Sequence, residues 1–130
     1  MKNQHPQLAK GRWEKLSLME QLANVGSEVI RASNWKQKNN SEYSKLAFYR
    51  ALELLSYCFT DSKNKSKLRE LTRMYELLVD YFEGTNIYRS SAEKLNKQFI
   101  SYTFAAQLDR KLGKPARSAR LVLIKLAKLT

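Results

Sequence analysis

An all-α fold, an up-down-up-down four-helix bundle followed by a short basic C-terminal helix, is what this sequence predicts, on three observations. Only four glycines and two prolines punctuate 130 residues, too few for the turns of a many-stranded β fold. Apolar residues recur at helical spacing in four stretches of about 18–22 residues. Short polar breaks join those stretches, which makes consecutive helices antiparallel neighbours. Hydrophobic residues reach 43%, enough for one domain with a real core. No sequence repeat at a fixed period points to a solenoid.

Residues 1–16 read as a polar lead with one anchor, Trp13, and without the apolar run of a signal peptide. The first helix opens on Ser17-Leu18-Met19-Glu20, a capping box in which the serine serves the N3 amide and the glutamate the N-cap amide. Met19, Leu22, Ala23, Val25, Val29 and Ile30 then form its apolar stripe, opposite Glu20, Asn24, Ser27, Arg31 and Asn34. Gly26 inside a helix costs about 1 kcal/mol relative to alanine, so its expected use is the close approach of a neighbouring helix.

After the polar break Lys36–Asn40, a second helix from about Glu42 to Phe59 carries Phe48, Leu52, Leu55 and Phe59 on one face, with Ala51 and Cys58 beside them. Thr60-Asp61-Ser62 is the next cap and turn. The third helix carries Leu68, Leu71, Tyr75, Leu78 and Phe82 and ends at Gly84, a favourable residue just past a helix end. Ser90-Ser91-Ala92-Glu93 reads as a second capping box, and Leu95, Phe99, Tyr102 and Ala106 follow in a fourth helix ending near Gly113 and Pro115. A fifth helix is expected from about Ala116 to Leu129. The organisation is therefore a lead (1–16), a bundle (17–112) and a basic amphipathic segment (113–130). Trp13 and Trp35 are expected to cap the two ends of the core. Tyr75 and Tyr102 are expected inside it, and Tyr43, Tyr49 and Tyr88 outside.

The net charge is +12, the last acidic residue is Asp109, and seven bases follow it. Antiparallel helices bring the start of the first helix, the turn between the second and third, and the end of the fourth to one end. The bases there are Lys10, Arg12, Lys15, Lys63, Lys65, Lys67, Arg69, Arg110, Lys111 and Lys114, against Glu14, Asp61, Glu70 and Asp109, for +6. Arg117, Arg120, Lys125 and Lys128 raise this to +10, whereas the opposite end carries +2. Charge of one sign gathered in this way attracts polyanions. Lys63, Lys65, Lys67 and Arg69 moreover crowd the start of the third helix, where cations oppose the helix dipole and where phosphate is readily bound. The expected partner is nucleic acid, RNA favoured over DNA, held through phosphate contacts without base readout. The expected contacts are Lys63, Lys65, Lys67, Arg69, Arg110, Lys111, Lys114, Arg117, Arg120, Lys125 and Lys128.

In the last segment Ala119, Val122, Leu123, Leu126 and Leu129 share a face opposite Arg117, Arg120 and Lys128. It suits packing back on the bundle, then docking on a partner or a second copy, and last an anionic membrane surface, since its apolar face has no aromatic anchor.

Other chemistries are poorly served. One cysteine, Cys58, rules out an internal disulfide framework and a cysteine-built zinc site; a reducing, cytoplasmic setting fits. The longest aliphatic run, Leu121–Ile124, is far too short to span a bilayer. The sole histidine, His5, lies in the lead, so the Glu-x-x-His pairs of a di-iron bundle are absent, and helical ribonucleases using an Arg–His pair are disfavoured. No Walker, GxGxxG or GxSxG motif occurs. Glu28, Glu53, Glu76 and Asp80 are the remaining carboxylates for catalysis. Glu76 and Asp80, sharing a helix face, are expected instead to pair with Arg50 or Arg73. No catalytic residue, metal or cofactor is assigned.

Three segments, Leu16–Glu28, Ala51–Leu55 and Phe104–Ala106, resemble a family of uncharacterised small bacterial four-helix-bundle proteins, and the likeness runs from Trp13 to Ala106. It supports the helical reading and implies no activity. In size, helix count and basic charge the chain is also similar to bundles encoded in intervening sequences of large ribosomal RNA genes, and to the accessory protein of diversity-generating retroelements. That second likeness implies a basic homo-oligomer working beside a reverse transcriptase and its RNA. The expectation is a non-enzymatic nucleic-acid-binding accessory protein. The alternative is a protein-interaction scaffold whose C-terminal helix docks on a partner.

Overall fold

The computed structural model describes residues 11–112. The elements are a 3-10 turn at Trp13–Lys15, α1 (Leu18–Gln37), α2 (Ser41–Thr60), a 3-10 segment at Ser62–Lys67, α3 (Leu68–Phe82) and α4 (Ala92–Leu112), with no strand among the described residues. The expected fifth helix lies outside them.

Helix α1 starts where its cap dictates. Ser17 Oγ accepts from the Glu20 amide at 3.2 Å, and Glu20 Oε1 accepts from the Ser17 amide at 3.1 Å, so both halves of the capping box form. A cap of this kind is worth about 1 kcal/mol. Met19, Leu22, Val25, Val29 and Ala32 are buried, while Ala23 and Ile30 sit half-buried at the margin. α1 is the central helix, packed along both α2 and α4. Gly26 faces α4: a Cβ there would lie 2.7 Å from both Cβ and Cδ1 of Phe99, well inside ordinary carbon–carbon contact. The missing side chain is what allows these two helices to touch.

Helix α2 is capped by Asn40, whose side chain accepts from the Tyr43 amide at 3.0 Å, so it starts at Ser41. Its buried face is Ala47, Phe48, Ala51, Leu54, Leu55 and Cys58, with Leu52 and Phe59 half-buried. At the far end of α1, Ser44 Oγ donates to the Ala32 carbonyl at 2.9 Å. Trp13 is buried at one end of the core; Trp35 is half-buried at the other, edge-on to Tyr43 at 4.9 Å.

Helix α3 corrects the sequence reading. Its buried residues are Leu71, Met74, Leu77 and Leu78, whereas Leu68 and Tyr75 are exposed. Both sets have helical spacing, and the bundle selects the one centred on Met74. Tyr75 stands at the rim, exposed and edge-on to Phe59 at 6.5 Å. α3 makes its closest backbone approaches to α2. Between it and α4 a cleft of about 60 Å³ remains, lined by Met74, Leu78, Tyr88, Leu95, Gln98 and Phe99.

The connection from α3 to α4 is tied down by Asp80, whose two carboxylate oxygens accept from the Ile87 and Tyr88 amides at 2.8 and 3.1 Å. Asn86 and Arg89, at φ 57 and 53, make the turns, and Asn86 exchanges two hydrogen bonds with the Ser90 backbone. The start of α4 falls one residue later than the expected box. Ser91 Oγ accepts from the Lys94 amide at 3.1 Å, which puts lysine at N3 and leaves the reciprocal glutamate bond unmade. Leu95, Phe99, Tyr102, Ala105 and Ala106 form the buried face of α4.

Candidate nucleic-acid interface

One end of the molecule is organised by a buried polar network on residues far apart in sequence. Gln21, fully buried on α1, donates from Nε2 to the Trp13 carbonyl at 2.9 Å and to Asp61 Oδ2 at 2.8 Å. Its Oε1 accepts from Asn64 Nδ2 at 2.8 Å, and Asn64 Nδ2 also donates to the Cys58 carbonyl at 3.1 Å. Asp61 accepts from the Lys63 amide at 3.1 Å, capping the 3-10 segment. The Lys63 ammonium reaches Asp61 Oδ2 and, at 3.2 Å, the Glu14 carbonyl. Burial pushes the Asp61 carboxyl up, but the hydrogen bonds from Lys63 and Gln21 together with the Lys63 charge outweigh it and hold the group below its ordinary 3.8. The network thus fixes the entry to α1 against the turn that carries the lysine run. Cys58, behind it, is buried, and that burial pushes its thiol up to about 12. It is a small core residue with no thiolate near neutral pH.

This network brings the sequence-predicted bases together. Lys63 lies against Glu14, and Arg110 at the end of α4 lies 3.5 Å from Glu20 at the start of α1. Arg12, Lys15, Lys63, Lys65, Lys67, Arg69, Arg110 and Lys111 therefore share one end. Lys114, Arg117, Arg120, Lys125 and Lys128 lie outside the described residues.

Two corrections follow from the contacts. Glu20 joins this end through Arg110, so eight bases face Glu14, Glu20, Asp61, Glu70 and Asp109, a local net of +3. The other end has Lys36, Lys38, Lys45, Arg89, Lys94 and Lys97 against Glu42, Asp80, Glu83 and Glu93, a net of +2. Within residues 11–112 the net charge is nearly even, and the further bases behind the asymmetry read from the sequence lie outside the described residues. Second, Lys63 and Arg110 are committed to internal ion pairs.

The two ends differ in how many of their cations are left uncommitted. At the first end, Arg12, Lys15, Lys65, Lys67, Arg69 and Lys111 make no ion pair among the described residues, and all but Lys67 are exposed. At the other, Lys36 donates to the Tyr81 carbonyl at 2.9 Å and sits 3.9 Å from the Tyr81 ring centroid. Lys38 lies over Trp35, and Lys94 donates to the Arg89 carbonyl; Lys45, Arg89 and Lys97 are exposed and make no ion pair among the described residues, three of the six cations there against six of the eight at the first end.

The aromatic side chains add little to this surface. Tyr102 is buried as expected and donates no platform; Tyr43 and Tyr88 are exposed, but on the opposite end from the lysine turn. Tyr49 is half-buried beside Phe48, and a hydrogen bond to Glu83 and that carboxylate's charge raise its phenol above the ordinary 10.0.

The carboxylates weighed for catalysis are dispersed. Glu28 pairs with Arg31 at 3.3 Å, and buried Glu53 accepts from the Tyr57 hydroxyl at 2.8 Å. Asp80 serves loop amides rather than the arginine expected for it, and Glu76 is exposed. Among the described residues no group of three His, Cys, Asp or Glu side chains converges to hold a metal ion, and no helix is long and apolar enough to cross a membrane.

Sequence reasoning missed Gln21 and Asn64 and took Asp61 for a turn cap alone. The available signal was Gln21's position four residues before Val25, on the apolar stripe where an amide has to find buried partners. Compared with family models, curated proteins and solved structures, the chain has no match in any of the three.

Proposed function

We propose that this chain is a non-enzymatic nucleic-acid-binding protein, an up-down-up-down bundle that holds RNA in preference to DNA on its lysine-turn end. The observation that carries the reading is the set of uncommitted cations at that end, Arg12, Lys15, Lys65, Lys67, Arg69 and Lys111, of which Lys65 and Lys67 stand on a turn fastened by Gln21 and Asp61. Lys63 and Arg110 contribute to the local field while positioning their neighbours. Lys114, Arg117, Arg120, Lys125 and Lys128 extend the basic stretch in sequence. Cations on a rigid turn meet phosphates at little ordering cost and bind by releasing counterions. Nothing in this set reads base edges, so the binding is of phosphate backbone. The role that suits such a surface is that of a homo-oligomeric accessory protein, presenting RNA to an enzyme that acts on it, such as a reverse transcriptase.

The test is binding of the full chain to a generic single-stranded RNA across a salt series. Affinity is expected to fall linearly with salt on logarithmic axes, and the triple variant Lys65→Ala, Lys67→Ala, Arg69→Ala to flatten that slope by about 2. Salt-independent binding, or an unchanged slope in the triple variant, overturns the reading.

A further inference from the structure

The face of α4 that points away from the core is not an ordinary wet face. Glu93, Lys97, Ile100, Phe104, Gln107 and Lys111 follow one another at intervals of four and three residues and are all exposed, Ile100 at 59% and Phe104 at 65%. That alternation is the heptad seam by which two helices run side by side. Large apolar residues in its middle with polar residues at both ends match the plan of a small interface, apolar centre and polar rim.

The order of residues along the seam is self-complementary in one arrangement. Set two copies of α4 antiparallel with Ile100 opposite Phe104 of the second copy. The same register puts Lys97 opposite Gln107 and Glu93 opposite Lys111, and each pairing occurs twice about the twofold axis. The Glu93–Lys111 pairs join opposite charges, and neither residue makes an ion pair within its own chain among the described residues; in the dimer Lys111 serves this pair, and Arg12, Lys15, Lys65, Lys67 and Arg69 stay free for phosphate. A parallel arrangement sets Lys97 against Lys97 and Lys111 against Lys111, which repels. We infer that the outer face of α4 is a homodimer seam in which two copies meet antiparallel, Ile100 against Phe104, locked in register by Glu93–Lys111 pairs. Such an isologous contact closes on itself and leads to no fibre. Antiparallel helices also carry the two lysine turns to opposite ends of the dimer, apart by roughly the length of α4, about 30 Å.

The inference does not need the nucleic-acid reading, because association is measured on the full chain alone by sedimentation. The wild type is expected to dimerise reversibly with concentration. Phe104→Asp, a change on the exposed surface, is expected to leave a folded monomer, with the helical circular dichroism signal as the check. Glu93→Lys and Lys111→Glu are each expected to weaken association at least about tenfold, by turning two attractions into repulsions. The double variant, Glu93→Lys with Lys111→Glu, is expected to regain wild-type association, which only this pairing explains. A wild type that stays monomeric throughout overturns the inference, and so does dimerisation unaffected by Phe104→Asp. A double variant no tighter than the singles overturns the antiparallel register. If residues 113–130 of the same chain cover the face instead, Phe104→Asp lowers stability without changing sedimentation, and that result too overturns it.

Discussion

Replacing Gln21 by leucine isolates the network that fastens the lysine turn. Leucine nearly fills the same volume, so core packing changes little. What goes are three buried hydrogen bonds, to the Trp13 carbonyl, Asp61 Oδ2 and Asn64 Nδ2. A buried polar group left without a partner costs about 1–3 kcal/mol. Here the lower end applies, because Asn64 keeps the Cys58 carbonyl and Asp61 keeps Lys63. The expected loss is therefore roughly 3 kcal/mol, which for a domain of this size corresponds to a fall in Tm of about 12–24 °C. Urea unfolding followed by far-ultraviolet circular dichroism measures it, and an unchanged slope with denaturant confirms that only the native state was altered. A loss under about 1 kcal/mol would show that these bonds contribute little net stability and that the turn is held by other contacts.

Three further outcomes follow from the same contacts. Gly26→Ala gains about 1 kcal/mol of helix propensity but pushes a Cβ to 2.7 Å from Phe99, an overpacking of about 1–3 kcal/mol; the variant is expected to be less stable, and a more stable one in thermal unfolding would refute the close approach. Because the folded Asp61 carboxyl titrates below its unfolded 3.8, its contribution is complete above that pH and is lost as pH falls through the folded value. Asp61→Asn should therefore be less stable than wild type at neutral pH, with the gap narrowing on acidification in a pH series of denaturant midpoints. Asp80→Ala removes both acceptors from the Ile87 and Tyr88 amides, and should cost about 1–2 kcal/mol while raising hydrogen exchange at those two amides; unchanged exchange there would contradict the assigned bonds.

The parts of the fold legible in the sequence are those set within a few residues. The α1 capping box joins positions three apart, and both of its hydrogen bonds form. Gly26 was legible as a close approach because a glycine inside a helix is costly without one, and Gly84 as the residue just past α3. Features that depend on a distant partner were not. Two stripes at helical spacing overlap on α3, and only the arrangement of its neighbours chooses Met74 over Tyr75. Ser90 and Ser91 offer alternative caps one residue apart, and the loop bound to Asp80 decides for Ser91. At the candidate interface the gathering of Lys63 with Arg12 and Lys15, and of Arg110 with α1, could be read from antiparallel helices. The partners that take Lys63 and Arg110 out of the free set, Asp61 and Glu20, could not, since ion-pair geometry is a property of the assembled end. The Gln21–Asp61–Asn64 set joins residues about forty apart; the apolar stripe marks Gln21 as buried, but no local pattern names its partners.

That α3 is packed more sparsely than α1, with a small cleft left between it and α4, implies an order of opening. A helix that buries fewer side chains than α1 has fewer contacts to lose, so it detaches at a lower free energy than global unfolding. Native-state hydrogen exchange would then resolve α3 as the first cooperative unit to exchange, the Ser62–Lys67 segment staying with α1 through Asn64 and Gln21, and α1 as the last.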